Sequence, residues 1–285
     1  MTQPATAPIL FDRPLLAQRQ RRAAGAPETF LLERVAEDIA DRLAAVNRSF
    51  DAAADIWTPG AGLAPHLTGG VAQLAHLAAP ATADETLPLA PQSLDLALSA
   101  LAFQFVNDLP GLLVQVRRAL RPDGLLLAAM IGGDTLTELR QSFAAAEAEC
   151  EGGVSPRVVP FADLRDVGGL LQRAGFALPV TDVDRVVVRY ASAFGLMQDL
   201  RRMGATNSLV ERRRTPLRRA TLLRMAEIYA ERFADPDGRI RATFDIVWLS
   251  GWAPHESQQK PLKPGSATAS LEAAVKRSQG AGDRE

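Results

Sequence analysis

A single cysteine, Cys150, excludes an internal disulfide and a Cys-x-x-Cys redox pair. No uncharged apolar run reaches the ~18 residues that a membrane-spanning helix needs. The opening residues, MTQPATAPILFDRPLLAQRQRRAAG, lack an apolar core followed by a cleavage signature. A reducing cytoplasm is therefore the expected compartment. Net charge is nearly absent: 32 basic and 33 acidic residues leave −1, so no global field draws nucleic acid or an anionic membrane. The basic segments lack the interleaved aromatics of a single-strand binder. His66, His76 and the remote His255 share no ligand spacing with Cys150, so no metal is expected. A Gly-x-Ser-x-Gly nucleophile turn is also missing.

What remains is an ordinary globular composition, with 47% hydrophobic and 23% charged residues. Residues 9 to 23 mix Ile9, Leu10, Phe11, Leu15 and Leu16 with Arg13, Arg19, Arg21 and Arg22, which suggests a basic helix packed on the domain. ETFLLERVAEDIADRLAAV places Phe30, Leu31, Val35, Ile39, Leu43 and Val46 at helical spacing. FDAAADIWTPGAG reads as a strand entering a glycine turn, and QSLDLALSALAFQF as a buried strand. VNDLPGLLVQVRRALRPDG reads as a helix capped near Asn107 or Asp108 and stopped by Pro122 and Gly124. LLLAAMIG follows as a strand, and Asp134 opens the next helix. Alternating strands and helices imply right-handed crossovers and a parallel sheet covered on both faces. PFADLRDVGGLLQRAGF is a helix ended at Gly175, and PVTDVDRVVVRY and IRATFDIVWLSGW are late strands flanking a helical stretch from 193 to 233.

The turn DIWTPGAGLAPHL sits where doubly wound sheets bind ligands, beyond the carboxyl end of a strand. A lone Gly-x-Gly is weak ground, and taken alone it is better explained as a structural turn. The run ERRRTPLRRA concentrates Arg212, Arg213, Arg214, Arg218 and Arg219. It reads either as a solvated face or as a docking surface for an acidic partner.

The segments FDRPLLAQRQRRA, ADETLPL, SALAFQFVNDLP, LRPDGLLLAAMIGGDTLTELR, EGGVSPRVVPFADLRDVGGLLQRAGF, DLRRMGATN and GWAPHESQQKPLKPGSAT occur in an order and spacing that resemble the class I S-adenosylmethionine methyltransferases. The likeness is closer to the bacterial counterparts of the mitochondrial complex I assembly factor 5, relatives of the enzyme that methylates malonyl-acyl carrier protein. This resemblance implies a Rossmann-like α/β sheet, mostly parallel with an antiparallel late strand, a helical insertion and a shortened first half. The divisions it implies are an N-terminal helical arm (1–48), a cofactor-binding core (49–190), a helical cap (191–239), a final core strand (240–255) and a flexible tail (256–285). Asp55, Gly60 and Gly62 match the loop that holds the cofactor's methionine end, and Asp84 and Glu85 the acidic loop that faces its adenine amine. For the two acids, a solvated loop is the competing reading. Phe103 and Phe105 would line the pocket floor or belong to the core.

Two departures bear on S-adenosylmethionine. Trp57 replaces the family's glycine directly after the strand. Between Gly62 and Asp84, the 21 residues 63 to 83 must hold a helix, the second strand and another helix, which at average lengths need about 28. At least one element is then missing or reduced to a turn. The segment also contains no Asp or Glu for the ribose hydroxyls. The resemblance leaves open a methyltransferase, a binding protein with a decayed cofactor site, and a hydroxylase of an arginine in a complex I subunit. The implied partner is a respiratory complex I subunit, which would place the protein beside the inner membrane. No catalytic residue is marked, because methyl transfer depends on positioning rather than on a signature acid or base.

Overall fold

The computed structural model describes residues 9–67 and 69–259. The expected flexible tail falls largely outside the described residues. Six strands form one sheet in the order β2-β1-β3-β4-β6-β5: β1 Phe50–Ile56, β2 Val71–Leu77, β3 Leu94–Ala100, β4 Leu120–Gly132, β5 Ala177–Tyr190 and β6 Ile240–Trp252. The first four run parallel, while β6 is antiparallel to both β4 and β5. This is the Rossmann-like sheet with an antiparallel late strand that the sequence implies.

Alternation along β4 shows how the sequence builds two cores. Leu125, Leu127, Ala129 and Ile131 join one apolar cluster, and Leu126, Ala128 and Met130 the other. The first face is covered by α2 (Phe30–Ala44), α4 (Thr137–Glu151), α6 (Ala193–Arg202) and α7 (Arg219–Phe233), through residues such as Ile39, Phe143, Leu196 and Ile228. The second is covered by α3 (Leu109–Ala119) and α5 (Leu164–Arg173), through Leu112, Val116, Val167 and Leu171. A fully buried side chain of this kind contributes about 1.5–3 kcal/mol. Helices α6 and α7, the expected cap, thus pack into the same cluster as α2 and the sheet.

Helix α1 (Arg13–Ala23) starts with Asp12, whose carboxylate accepts the Leu15 N–H, and Pro14 fills the first turn, where its missing N–H costs nothing. Asp108 caps α3 by accepting from the Gly111 N–H.

Three local expectations change. Helix α3 stops at Ala119, ahead of Pro122 and Gly124, because Leu120 is already extended and paired with Leu94. Pro122 and Gly124 lie inside β4, where the register shifts. Asp134 does not open α4; its N–H donates to Asp245, and the helix begins at Thr137 after Leu136 in a left-handed conformation (φ 54°). Between Gly62 and Asp84 the strand is kept, and both helices are gone: residues 64–66 form a single 3₁₀ turn, and no helix follows β2 before β3. Consequently the sheet is not covered on both faces throughout, since Ala72, Gln73, Ala75 and His76 of β2 are exposed.

Candidate functional site

The site is built from the loops beyond the carboxyl ends of β1, β2 and β3. Asp55, near the end of β1, is fully buried and lies opposite His76 in register. Its carboxylate accepts the Thr58 hydroxyl and the Leu63 N–H (2.8 Å), and its Oδ2 lies 3.0 Å from His76 Nδ1. The Thr58 oxygen in turn accepts the Ala100 N–H at 2.9 Å, which ties the turn to the end of β3. Asp55 therefore staples the turn from within.

Gly60 and Gly62 sit at φ 70° and 71°. A Cβ on Gly62 would lie 2.3 Å from an Asp55 carboxylate oxygen and 2.5 Å from His76 Nδ1, so only glycine fits there; at Gly60 the added atom meets nothing. Trp57 is also left-handed, at φ 63°. The backbone thus keeps the path that a glycine would take, and the indole is an addition to it. It does not project into solvent: Trp57 is 4% exposed and packs in the cluster that holds Leu87 and Phe103.

Arg13, in the first turn of α1, completes this arrangement and was not marked by the sequence. It is 3% exposed, with its guanidinium carbon 5.4 Å from the Trp57 ring centroid. Nη1 donates to the Phe105 carbonyl (3.1 Å) and Nη2 to the Pro80 carbonyl (3.2 Å). Nε lies 3.8 Å from the Glu85 carboxylate and makes no hydrogen bond. Burial lowers the guanidinium's pKa, and Glu85 partly opposes the shift. Glu85 accepts the N–H groups of Asn107 and Asp108, each at 3.0 Å, at the start of α3. The Asn107 side chain accepts from the N–H groups of Leu10 and Phe11, fastening the segment before α1 to the same place.

Asp84 differs from its neighbour. It is exposed and accepts the Thr86 N–H, and hydrogen bonds from the Thr86 side chain and backbone hold its carboxyl below the usual value. The candidates thus separate: Asp55, Gly60 and Gly62 share one turn, Glu85 is turned inward, and Asp84 faces solvent. S-adenosylmethionine on this sheet needs room over the turn and a carboxylate at the end of β2. Here β2 ends in His76 and Leu77, and the buried Arg13 and Trp57 side chains pack together beside the turn, while Pro59 of the turn lines a cavity. The carboxylate that the ribose hydroxyls would meet is therefore not supplied by β2.

Next to this crevice lies a cavity of about 500 Å³. Leu101, Gln104 and Phe105 after β3, Ile131 of β4 and Leu139 and Phe143 of α4 form one side, and Met197 and Leu200 of α6 the other. Phe105 thus lines the cavity, whereas Phe103 belongs to the core. Gln104 is held by donating to the Leu101 carbonyl (2.7 Å). Arg19, Arg157, Arg201, Arg212 and Arg213 also line it, with Glu28 the one carboxylate among the lining residues. Three of these arginines are tied to acids that do not themselves line the cavity: Arg157 to Glu147, Arg212 to Asp12 (3.1 Å) and Arg213 to Glu151 (2.8 Å). Arg212 and Arg213 are therefore not the free docking face that their run suggests; only Arg214 of the triplet is exposed. Among the described residues, no three His, Cys, Asp or Glu side chains gather as a metal site, and no helix is long and apolar enough to cross a membrane.

Comparison with known proteins places this geometry. A methyltransferase-domain family model matches residues 52–128. The mitochondrial arginine-hydroxylase NDUFAF5 of Homo sapiens is 39% identical over 292 residues, covering 95% of this chain and 84% of that protein. Its counterpart in Danio rerio is 37% identical over 284 residues, covering 92% and 88%. A malonyl-[acyl-carrier protein] O-methyltransferase of Laribacter hongkongensis is 40% identical over 181 residues, 64% of this chain and 58% of that protein. Among solved structures, the YcgJ protein of Bacillus subtilis superposes with a TM-score of 0.52 at 13% identity, covering 78% of this chain and 99% of that one, a likeness of fold alone. The matched domain supports S-adenosylmethionine as the cofactor class. With its relatives aligned over nearly its whole length, the chain belongs to the NDUFAF5 family, built on a methyltransferase domain.

Proposed function

We propose that this protein serves the assembly of respiratory complex I, and that its working site is the cavity between the sheet's carboxyl ends and α6, which receives a side chain of a complex I subunit under maturation. The observation that carries this reading is the cavity itself: about 500 Å³, lined by apolar side chains together with five arginines and Glu28, and set against the methyltransferase crevice. Cofactor and substrate places are neighbours in such an arrangement, sharing Phe105 as a wall. The relatives' name, arginine-hydroxylase, makes an arginine the side chain to test first. Glu28, the carboxylate in the cavity lining, is paired with Arg202 at 3.0 Å, so a substrate guanidinium would have to share or replace that partner. Gly60, Gly62, Asp55, Asp84 and Glu85 remain the proposed cofactor loop residues. In that reading Asp55 and Glu85 act by shaping the loops, and Asp84 is the carboxylate free to meet an adenine amine.

The test is complementation. In cells lacking their own copy, the wild-type chain should restore complex I, while Met197→Trp, which fills the cavity, should fold but fail to restore it. Full restoration by Met197→Trp removes the cavity from the mechanism. Normal complex I in cells without the protein removes the assembly role.

A further inference from the structure

We infer that Arg13 and Trp57 act as an internal occupant of the cofactor crevice, holding together the loops beyond β1, β2 and β3, so that S-adenosylmethionine binds only by displacing them. The inference rests on the family's cofactor class and not on which partner fills the cavity.

Three observations converge. Trp57, Pro80 and Phe105 follow β1, β2 and β3 respectively, and one guanidinium touches all three: it stacks on the indole at 5.4 Å and donates to both carbonyls. A ligand lying across the carboxyl ends of these strands would meet the same three loops. Second, the indole is carried on a left-handed backbone (φ 63°) that suits glycine, so the side chain adds bulk without being demanded by the turn. Third, the packing is incomplete on its polar side: Arg13 Nε is buried without a hydrogen-bond partner. An internal occupant reduces the apparent affinity for a ligand by the fraction of molecules in which it has moved away.

Titration calorimetry of the full chain with S-adenosylhomocysteine decides the matter. Relative to the wild type, Trp57→Gly and Arg13→Gln should each bind at least about tenfold more tightly, or bind where the wild type shows no heat. Unchanged affinity, or no binding by any of the three, overturns the inference. Weaker binding by Arg13→Gln also overturns it, by making Arg13 a group that holds the cofactor. Should either variant melt below the working temperature, the other carries the test. A further readout needs no variant: amide exchange at residues 10–16 of the wild type should rise on saturation with S-adenosylhomocysteine, and a fall contradicts displacement. Failure here leaves the cavity reading standing, because Met197 lies outside the crevice.

Discussion

Asp55 and Asp84 are both cofactor-loop candidates in the sequence, yet their replacement by alanine should have different consequences. The Asp55 carboxylate is inaccessible and receives the Leu63 N–H at 2.8 Å and the Thr58 hydroxyl. Both donors are themselves buried, Leu63 at 0% and Thr58 at 2% exposure, so after Asp55→Ala neither has water to turn to. Hydrogen bonds to a charged acceptor contribute about 1.5–3 kcal/mol each, which puts the loss of two at roughly 3–6 kcal/mol. For a chain of this size, that lowers the melting temperature by roughly 10 °C. Asp84→Ala removes an exposed group with only local bonds to Thr86 and should leave the melting temperature unchanged. Thermal unfolding followed by circular dichroism, without ligand, measures both. A shift below about 3 °C for Asp55→Ala would mean that the carboxylate does not staple the turn.

The turn offers a second comparison. Gly62→Ala should cost more than about 2 kcal/mol, since the new methyl collides with Asp55 and His76, whereas Gly60→Ala should cost about 1 kcal/mol from backbone conformation alone; urea unfolding midpoints rank the two. Burial alone would raise the Glu147 carboxyl, but hydrogen bonds from Ser155 and Arg157 outweigh it and hold it below its ordinary value. A carboxyl lowered on folding contributes stability above its unfolded value of about 4.3, and loses it as pH falls through the folded value. The stability gap between the wild type and Glu147→Gln should therefore be widest near neutrality and shrink below about pH 4; a constant gap refutes the linkage. Arg213→Glu should lower the melting temperature by breaking its pair with Glu151, and Arg214→Glu, on an exposed residue, should not; equal effects would return Arg213 to the surface.

Much of the fold is legible in the sequence because period and punctuation agree with burial. The helical spacing of Val35, Ile39 and Leu43 and the two-residue alternation of Leu125 to Ile131 both survive into the cores. The shortened first half is also legible, from the 21 residues between Gly62 and Asp84 set against the elements that the resemblance requires there. What cannot be read locally is a boundary set by a distant partner. Pro122 and Gly124 look like a helix stop, yet Leu120 is captured by Leu94, and Asp134 looks like a cap, yet its N–H goes to Asp245. The same holds for the site. The glycine turn announces itself, but Arg13 lies more than forty residues before Trp57, and its only local signal is its place behind the Asp12 cap. Likewise, the arginine run says nothing of Glu147, Glu151 and Asp12, which turn two of its members inward.

A crystal structure of the wild-type protein grown with S-adenosylhomocysteine at about 1 mM tests the central claim most directly. At partial occupancy, the account predicts two exclusive states: Arg13 against Trp57 and the Pro80 and Phe105 carbonyls where the ligand is absent, and Arg13 withdrawn where it is present. Ligand density over residues 57–62 with Arg13 still stacked on the indole would contradict it.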